Sequence, residues 1–449
     1  MRRRGFLESM TAAGVGLTAG CLDADSIDED LDVGFFFADG PTIAWEHAGS
    51  EDVVALETTP DRTVVATERQ LLALSRADGD PAWGHDLRGI SALVSDDSRW
   101  YVYGNGGVLA VDRSSGDELW RVGGSYQRLF RADSAVVCYR SNGRETIGFD
   151  PETGDKRWTW EGTMVHTYTP EFGLVPGDGY RGFDLNQGTV EWSYRDGDRH
   201  VPVDVTDGTV VLSVRPLGAA SRSLVALDRE TGTETWRFGD VDARSWAGGV
   251  IDGTLYAAAA PENGSKRLSA IDLESGRDRW TVTLDEAFDI GTTSPETVVG
   301  DTVIVSTPWG QGLPTTCAVD RSTGTLEWTR EDHGLVSVSG DELVFTNDDG
   351  EFLGIRPDGS LAWEGNMRVV PRVSSPATGE LVYTPPEIVT FEDAFAAAFV
   401  GTNGLELWGE TRGRRRWRHQ FEGTIDGLFA GGDDLYTLVD GTLVSIPVD

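Results

Sequence analysis

Ala226-Leu-Asp-Arg-Glu-Thr-Gly232-Thr-Glu-Thr-Trp236 is a β-hairpin written in eleven residues. An apolar strand end runs into Asp228, whose carboxylate can accept backbone N–H groups two residues on. Gly232 supplies the positive φ that lets a short loop reverse the chain. The strand carrying Trp236 then runs back. The same pattern recurs as Ala110-Val-Asp-Arg-Ser-Ser-Gly116-Asp-Glu-Leu-Trp120, and further copies end at Trp158, Trp192, Trp280 and Trp328. Degenerate copies end at Trp83, Trp363 and Trp417, while Trp45 has no such turn before it.

Two more β-type runs lie between successive tryptophans, such as Ser91-Ala-Leu-Val and Trp100-Tyr-Val-Tyr-Gly. Each unit is therefore four antiparallel strands, and 34–54 residues separate one repeat tryptophan from the next between Trp83 and Trp417. That is the span of a propeller blade. A four-stranded sheet cannot bury both faces alone, whereas sheets stacked radially cover one another. The expected fold is all-β, a single β-propeller of four-stranded antiparallel blades, with the ten tryptophans docking between blades.

Trp83 through Trp417 close nine units, and residues 418–449 supply three more strands. The missing outer strand is Thr42-Ile-Ala-Trp45, so the N-terminal strand closes the ring and the count is ten. Truncating either end should then unfold the whole.

The repeat Ala-x-Asp-x-x-Thr-Gly-x-x-x-Trp, as in Ala226 to Trp236 and Ala318 to Trp328, resembles that of the quinoprotein (PQQ) propeller family over nearly all of residues 42–449. The resemblance implies eight blades, against the ten counted. The family holds quinone-dependent alcohol and glucose dehydrogenases. It also holds non-enzymatic members, among them the propeller lipoprotein of the bacterial outer-membrane assembly machine. A quinone enzyme of this kind would need a calcium ion, a catalytic Asp and a stacking platform, and its alcohol-oxidising members place a disulfide of adjacent cysteines beside the quinone. No Cys-Cys pair exists here, and no Asp, Asn or Glu matches a ligand set. No catalytic residue, no cofactor (PQQ with calcium included) and no bound metal are expected.

Composition narrows the rest. Asp plus Glu is 74 against 38 Lys plus Arg, a formal charge of −36 in 449 residues. Only Lys156 and Lys266 are lysines. A surplus this acidic repels phosphate backbones, so nucleic acid is not an expected partner. Scarce lysine and diffuse carboxylates suit molar salt, where the Debye length falls to about 3 Å, and read as a haloarchaeal-type protein. No stretch reaches the roughly 18 apolar residues of a spanning helix.

The N-terminus reads as an address. Arg3-Arg4-Gly5-Phe6-Leu7 resembles a twin-arginine export signal, and Leu17-Thr18-Ala19-Gly20-Cys21 resembles a lipoprotein cleavage box with Thr18 where Leu is usual. Residues 1–20 are expected to be a signal peptide, 21–41 an acidic tether lipidated at Cys21, and 42–449 the propeller. The chain would be exported and anchored by lipid alone to the outer face of the cytoplasmic membrane. Cys138 and Cys317 fall in separate apolar runs and read as small buried residues.

Side chains that could carry chemistry read as structure. His47, His85 and His419 each stand two residues after a repeat tryptophan, a packing position on an outer strand, and His166, His200 and His333 are isolated. Asn347-Asp-Asp-Gly-Glu351 and Asp196-Gly-Asp198 lack the full calcium-loop spacing and read as hydrated turns. Loop length says more. Extra residues lie between second and third strands at 215–223, 260–267 and 308–314, in three consecutive blades, with a longer excursion at 371–403. Such loops emerge on one face, together with the connectors between blades, and insertions on one face mark a binding surface. Arg215, Arg222, Lys266, Arg267 and Trp309 are the expected recognition patch, beside a glycosylation sequon at Asn263. The segment from Phe391 to Val400 could be a lid over a central channel. The expected function is a non-catalytic, lipid-anchored scaffold that binds cell-envelope proteins. The alternatives are a PQQ-dependent dehydrogenase and a small-ligand sensor.

Overall fold

The computed structural model describes residues 41–448, apart from 51, 141, 163–164, 168, 196–197, 216–221, 242, 262–265, 285–294, 307–314, 332, 340–341, 348–350, 367–372, 375–380, 383–386, 392–393, 399–402 and 410–413. Cys21 and the leader lie outside the described residues.

Ten four-stranded antiparallel sheets account for all but one hairpin of the secondary structure, and no helix occurs among the described residues. Blades 1 to 9 span 53–86, 90–122, 128–161, 166–194, 199–241, 243–283, 295–331, 334–366 and 387–420. Blade 10 takes three strands from 425–447 and its outer strand from Trp45–Ala48. Within blades 1 to 9 the strands follow in sequence order from the centre outward, and in blade 10 the N-terminal strand lies outermost. The innermost strands of blades 1 and 10 are also in contact, so the ring is closed.

The count of ten therefore stands, and the family value of eight does not apply. The closing strand is Trp45–Ala48 rather than Thr42–Trp45, with Trp45 opposite Ser445 and Ala48 opposite Thr442. Trp45 opens that strand because its indole must reach blade 1. The segment proposed as a lid is a wall: Ala394–Ala398 is the second strand of blade 9, buried along its whole length. The hairpin Val373–Ser374 with Leu381–Val382 lies in the connector between blades 8 and 9.

Burial explains why the second and third strands read as unbroken apolar runs. Val64, Ala66, Leu71 and Ala73 pack on blade 2, whereas Val65 and Leu74 pack on blade 10. Both faces of the sheet are covered, so alternation disappears. Among the described residues the core divides into ten clusters, one at each junction between neighbouring blades.

The repeat tryptophans sit at those junctions. Trp192 of blade 4 donates its Nε1–H to the Arg229 carbonyl of blade 5 at 2.6 Å. Trp236, Trp280 and Trp328 repeat the contact with Leu273, Arg321 and Pro357 at 2.7–2.9 Å. Trp120 reaches Pro151 at 2.9 Å, and Trp45 closes the ring on Arg76 at 2.8 Å. Trp83 departs from the pattern. Its Nε1 has no acceptor among the described residues, and His85 Nε2 contacts the Gly116 carbonyl at 2.8 Å instead. Trp158 also lacks an acceptor there, Trp363 donates to Glu342 at 2.8 Å, and Trp417 is buried between blades 9 and 10.

Candidate functional site

Antiparallel order sends the turns between second and third strands, and the connectors between blades, to one face of the ring. In blades 1, 2 and 4 these turns are tight, running from Thr67 to Gln70, Gly104 to Gly107 and Gly177 to Gly179. In blades 5, 6 and 7 the flanking strands end at Arg215, Pro261 and Ser306 and resume at Arg222, Arg267 and Thr315. The long turns thus occupy the sector of blades 5 to 7, and blade 9 has one as long as that of blade 6, from Ala398 to Gly404.

At the edge of this sector lies a cleft of about 420 Å³, lined by Pro176, Gly177, Gly179 and Tyr180 of blade 4 and by Asp198, Arg199, His200, Val201, Arg215 and Arg222 at blade 5. Strand register explains the arginines. Arg199 on the inner strand is the partner of Arg215 on the second. Ser223 on the third strand is the partner of Val214, which sets Arg222 beside Arg215. Three guanidinium groups therefore stand in a row across blade 5. Like charges directly opposite each other are destabilising by roughly 0.2–1 kcal/mol per pair. Among the described residues none of the three is in an ion pair. Burial, and then the Arg215 charge, holds the Arg222 guanidinium below its ordinary value.

Around the row, His200 meets the rings of Tyr194 and Tyr180 edge-on, with centroids 5.6 and 6.4 Å apart. Val201 is 53% exposed, the most open large apolar side chain among the described residues. A second cleft of about 560 Å³ on the same face is lined by Tyr103, Gln127, Arg128, Leu129, Phe130, Val165 and His166. Burial, reinforced by Arg128, holds the His166 imidazole below its usual range. The opposite face of blades 4 and 5 carries a cleft of the other sign, where Glu171, Asp184, Glu191 and Glu230 surround Arg229. There Arg229 pairs with Glu171 at 2.7 Å.

Of the expected recognition residues, Arg215 and Arg222 come together in the first cleft. Arg267 opens the third strand of blade 6 and Lys266 directly precedes it, both outside the lining of that cleft. Trp309 and Asn263 lie outside the described residues. Arg199, His200 and Tyr180 were not anticipated. The available signal was position: Arg199 and His200 open an inner strand directly after a connector, and so belong to the same face as the long turns.

The remaining polar candidates have local partners. His85 lies 5.5 Å from the Trp83 ring and His419 packs edge-on against Phe421 at 4.5 Å, where burial lowers its pKa. Asn347 and Glu351 close a turn reciprocally at 2.8 and 3.0 Å. Cys138 and Cys317 are fully buried in blades 3 and 7, and burial pushes the Cys317 thiol up to about 12. No three His, Cys, Asp or Glu side chains converge to hold a metal ion among the described residues.

The family described as outer membrane protein assembly factor BamB matches residues 42–159, 104–215 and 220–446. No curated protein matches. Among solved structures, BamB from Moraxella catarrhalis is similar at 16% identity, covering 91% of this chain and 99% of that one with a TM-score of 0.41. The quinohemoprotein alcohol dehydrogenase of Comamonas testosteroni is similar at 14% identity over 90% and 76%, TM-score 0.40. Apo AztD from Citrobacter koseri follows at 12% over 73% and 96%, TM-score 0.40.

Proposed function

The chain belongs to the family described as outer membrane protein assembly factor BamB, and from that premise we propose that it is a non-catalytic, protein-binding scaffold of the cell envelope. On this reading it is exported, held to the outer face of the cytoplasmic membrane by lipid on Cys21, and otherwise free of the bilayer. Its partners are envelope proteins. The observation that carries the reading is the asymmetry of the ring: on one face the turns are long in blades 5 to 7 and again in blade 9 but tight in blades 1, 2 and 4, and a cationic cleft lies at the edge of the run from blade 5 to blade 7. A fold shared by binders and enzymes does not choose between them, so the argument rests on the surface.

The chain carries its own probes. Lys266 stands on the long-turn face, and Lys156 opens an outer strand at the opposite one. Amine-reactive cross-linking in intact cells should join envelope proteins to Lys266 and not to Lys156. Cross-links from Lys156 alone would place the binding surface elsewhere. A quinone enzyme makes a separate demand: the unfolding temperature would rise with added PQQ and calcium and saturate with dose. No shift is expected, and a saturating rise would overturn the non-catalytic reading.

A further inference from the structure

We propose that the cleft across blades 4 and 5 is a carboxylate-binding subsite that takes an acidic side chain of a partner peptide, with an apolar neighbour of that side chain resting on Val201. The proposal rests on the scaffold reading and adds the chemistry of what is recognised. Its basis is a reversal of sign. The chain carries a net charge of −36, yet Arg199, Arg215 and Arg222 line one concavity against a single carboxylate, Asp198, and none of the three arginines is in an ion pair with a described residue.

Strand pairing puts these arginines side by side, so their repulsion is built into the register and a bound anion would relieve it. Guanidinium groups match a carboxylate through paired N–H donors, which gives direction as well as attraction. The rest of the lining favours a peptide over a free ion. Pro176, Tyr180 and the open Val201 offer apolar surface beside the charge. The matching cleft on the other face is acidic and its arginine is already paired, so the preference is confined to one side of the ring.

The test uses the full chain and a short fluorescent peptide of alternating Glu and Leu, with a Gln-for-Glu copy as control and inorganic phosphate as competitor. The Glu peptide should bind and the Gln peptide should not. R215Q and R222Q should each weaken binding about tenfold, the loss expected for one charge-assisted contact. Equal binding of the two peptides, no binding, or binding indifferent to both substitutions would overturn the proposal. Displacement of the peptide by phosphate at equal concentration would reassign the cleft to free phosphate and overturn the peptide assignment. Thermal unfolding separates a site from a structural element. Because each substitution removes a like charge, the variants should unfold at the parent temperature or above it, and a lower midpoint would mean that the row holds the blade together. Failure of the peptide arm with Lys266 cross-links intact would sink this subsite and leave the scaffold reading in place.

Discussion

Gly232 has a φ of +68°, and a Cβ built there would meet the Trp192 indole at 2.5 Å. Two requirements thus fall on one residue: a backbone conformation that side chains resist, and a flat surface for the tryptophan of the preceding blade. Asp228 completes the turn, accepting Thr231 N–H at 2.8 Å and the Thr231 hydroxyl at 2.7 Å. Replacing Gly232 by Ala should cost more than about 1 kcal/mol, since the native φ is incompatible with a side chain. Gly208→Ala is the matched control, because nothing lies within 4 Å of a Cβ there, and it should stay within about 0.5 kcal/mol. Denaturant unfolding in high salt, followed by tryptophan fluorescence, would measure both. Equal effects at the two sites would refute the docking role of the glycine.

At the scale of the strand, Trp45–Ala48 is the one element that blade 10 borrows from the other end of the chain. The junction of blades 1 and 10 that it completes has further ties. Thr63 of blade 1 and Tyr436 of blade 10 share a hydrogen bond of 2.9 Å, and Arg76 Nε lies 2.5 Å from Asp434. Both members of that ion pair are more than three-quarters covered. Arg76→Ala leaves the Asp434 carboxylate without this partner and should cost about 1–2 kcal/mol. Removing residues 42–48 exposes an edge of blade 10 and uncovers the junction with blade 1 together. That chain should lose its cooperative unfolding transition, whereas an intact transition would show that closure is dispensable. The apolar runs and Trp45 announced a closing strand, but its register was set by the reach from Trp45 to the Arg76 carbonyl, which lies 31 positions away.

For the molecule as a whole, a charge of −36 opposes compaction unless it is screened. Exposed carboxylates interact over about 10 Å at 0.1 M salt and about 3 Å at 1 M. The unfolding midpoint should therefore climb steeply between those concentrations, and a flat response would argue against adaptation to high salt. Acid acts in two directions. Protonation relieves repulsion, but it also removes the turn carboxylates. Asp320 accepts hydrogen bonds from the Thr323 and Ser322 hydroxyls and the Thr323 and Ser322 backbone, which hold its pKa down to about 2. Asp112, Asp150 and Asp228 are lowered for similar reasons, and Asp272 first by the Arg279 guanidinium and then by Ser275. A depressed folded pKa stabilises above the unfolded value and is lost as pH falls through the folded one. Stability from the turns should hold above about pH 4 and drain away toward pH 2. In molar salt, where repulsion is already screened, that loss should dominate; Asp320→Asn should flatten the acid limb, and an unchanged limb would exclude the turn from it.

The blade, its repetition and the closure of the ring were written locally in the residues, because a turn of Asp and Gly followed by a Trp-bearing strand specifies a hairpin wherever it occurs. Nine copies and the strand of Trp45 then leave few ways to cover ten pairs of apolar faces. The cleft is different. Arg215 and Arg222 flank a long turn and could be suspected from it, but Arg199, His200, Val201 and Tyr180 carry no shared motif or spacing. They meet because strand register aligns Arg199 with Arg215, and because the ring sets the hairpin of blade 4 beside the inner strand of blade 5. Convergence of that kind depends on pairing and packing between distant segments, so it belongs to the tertiary structure alone.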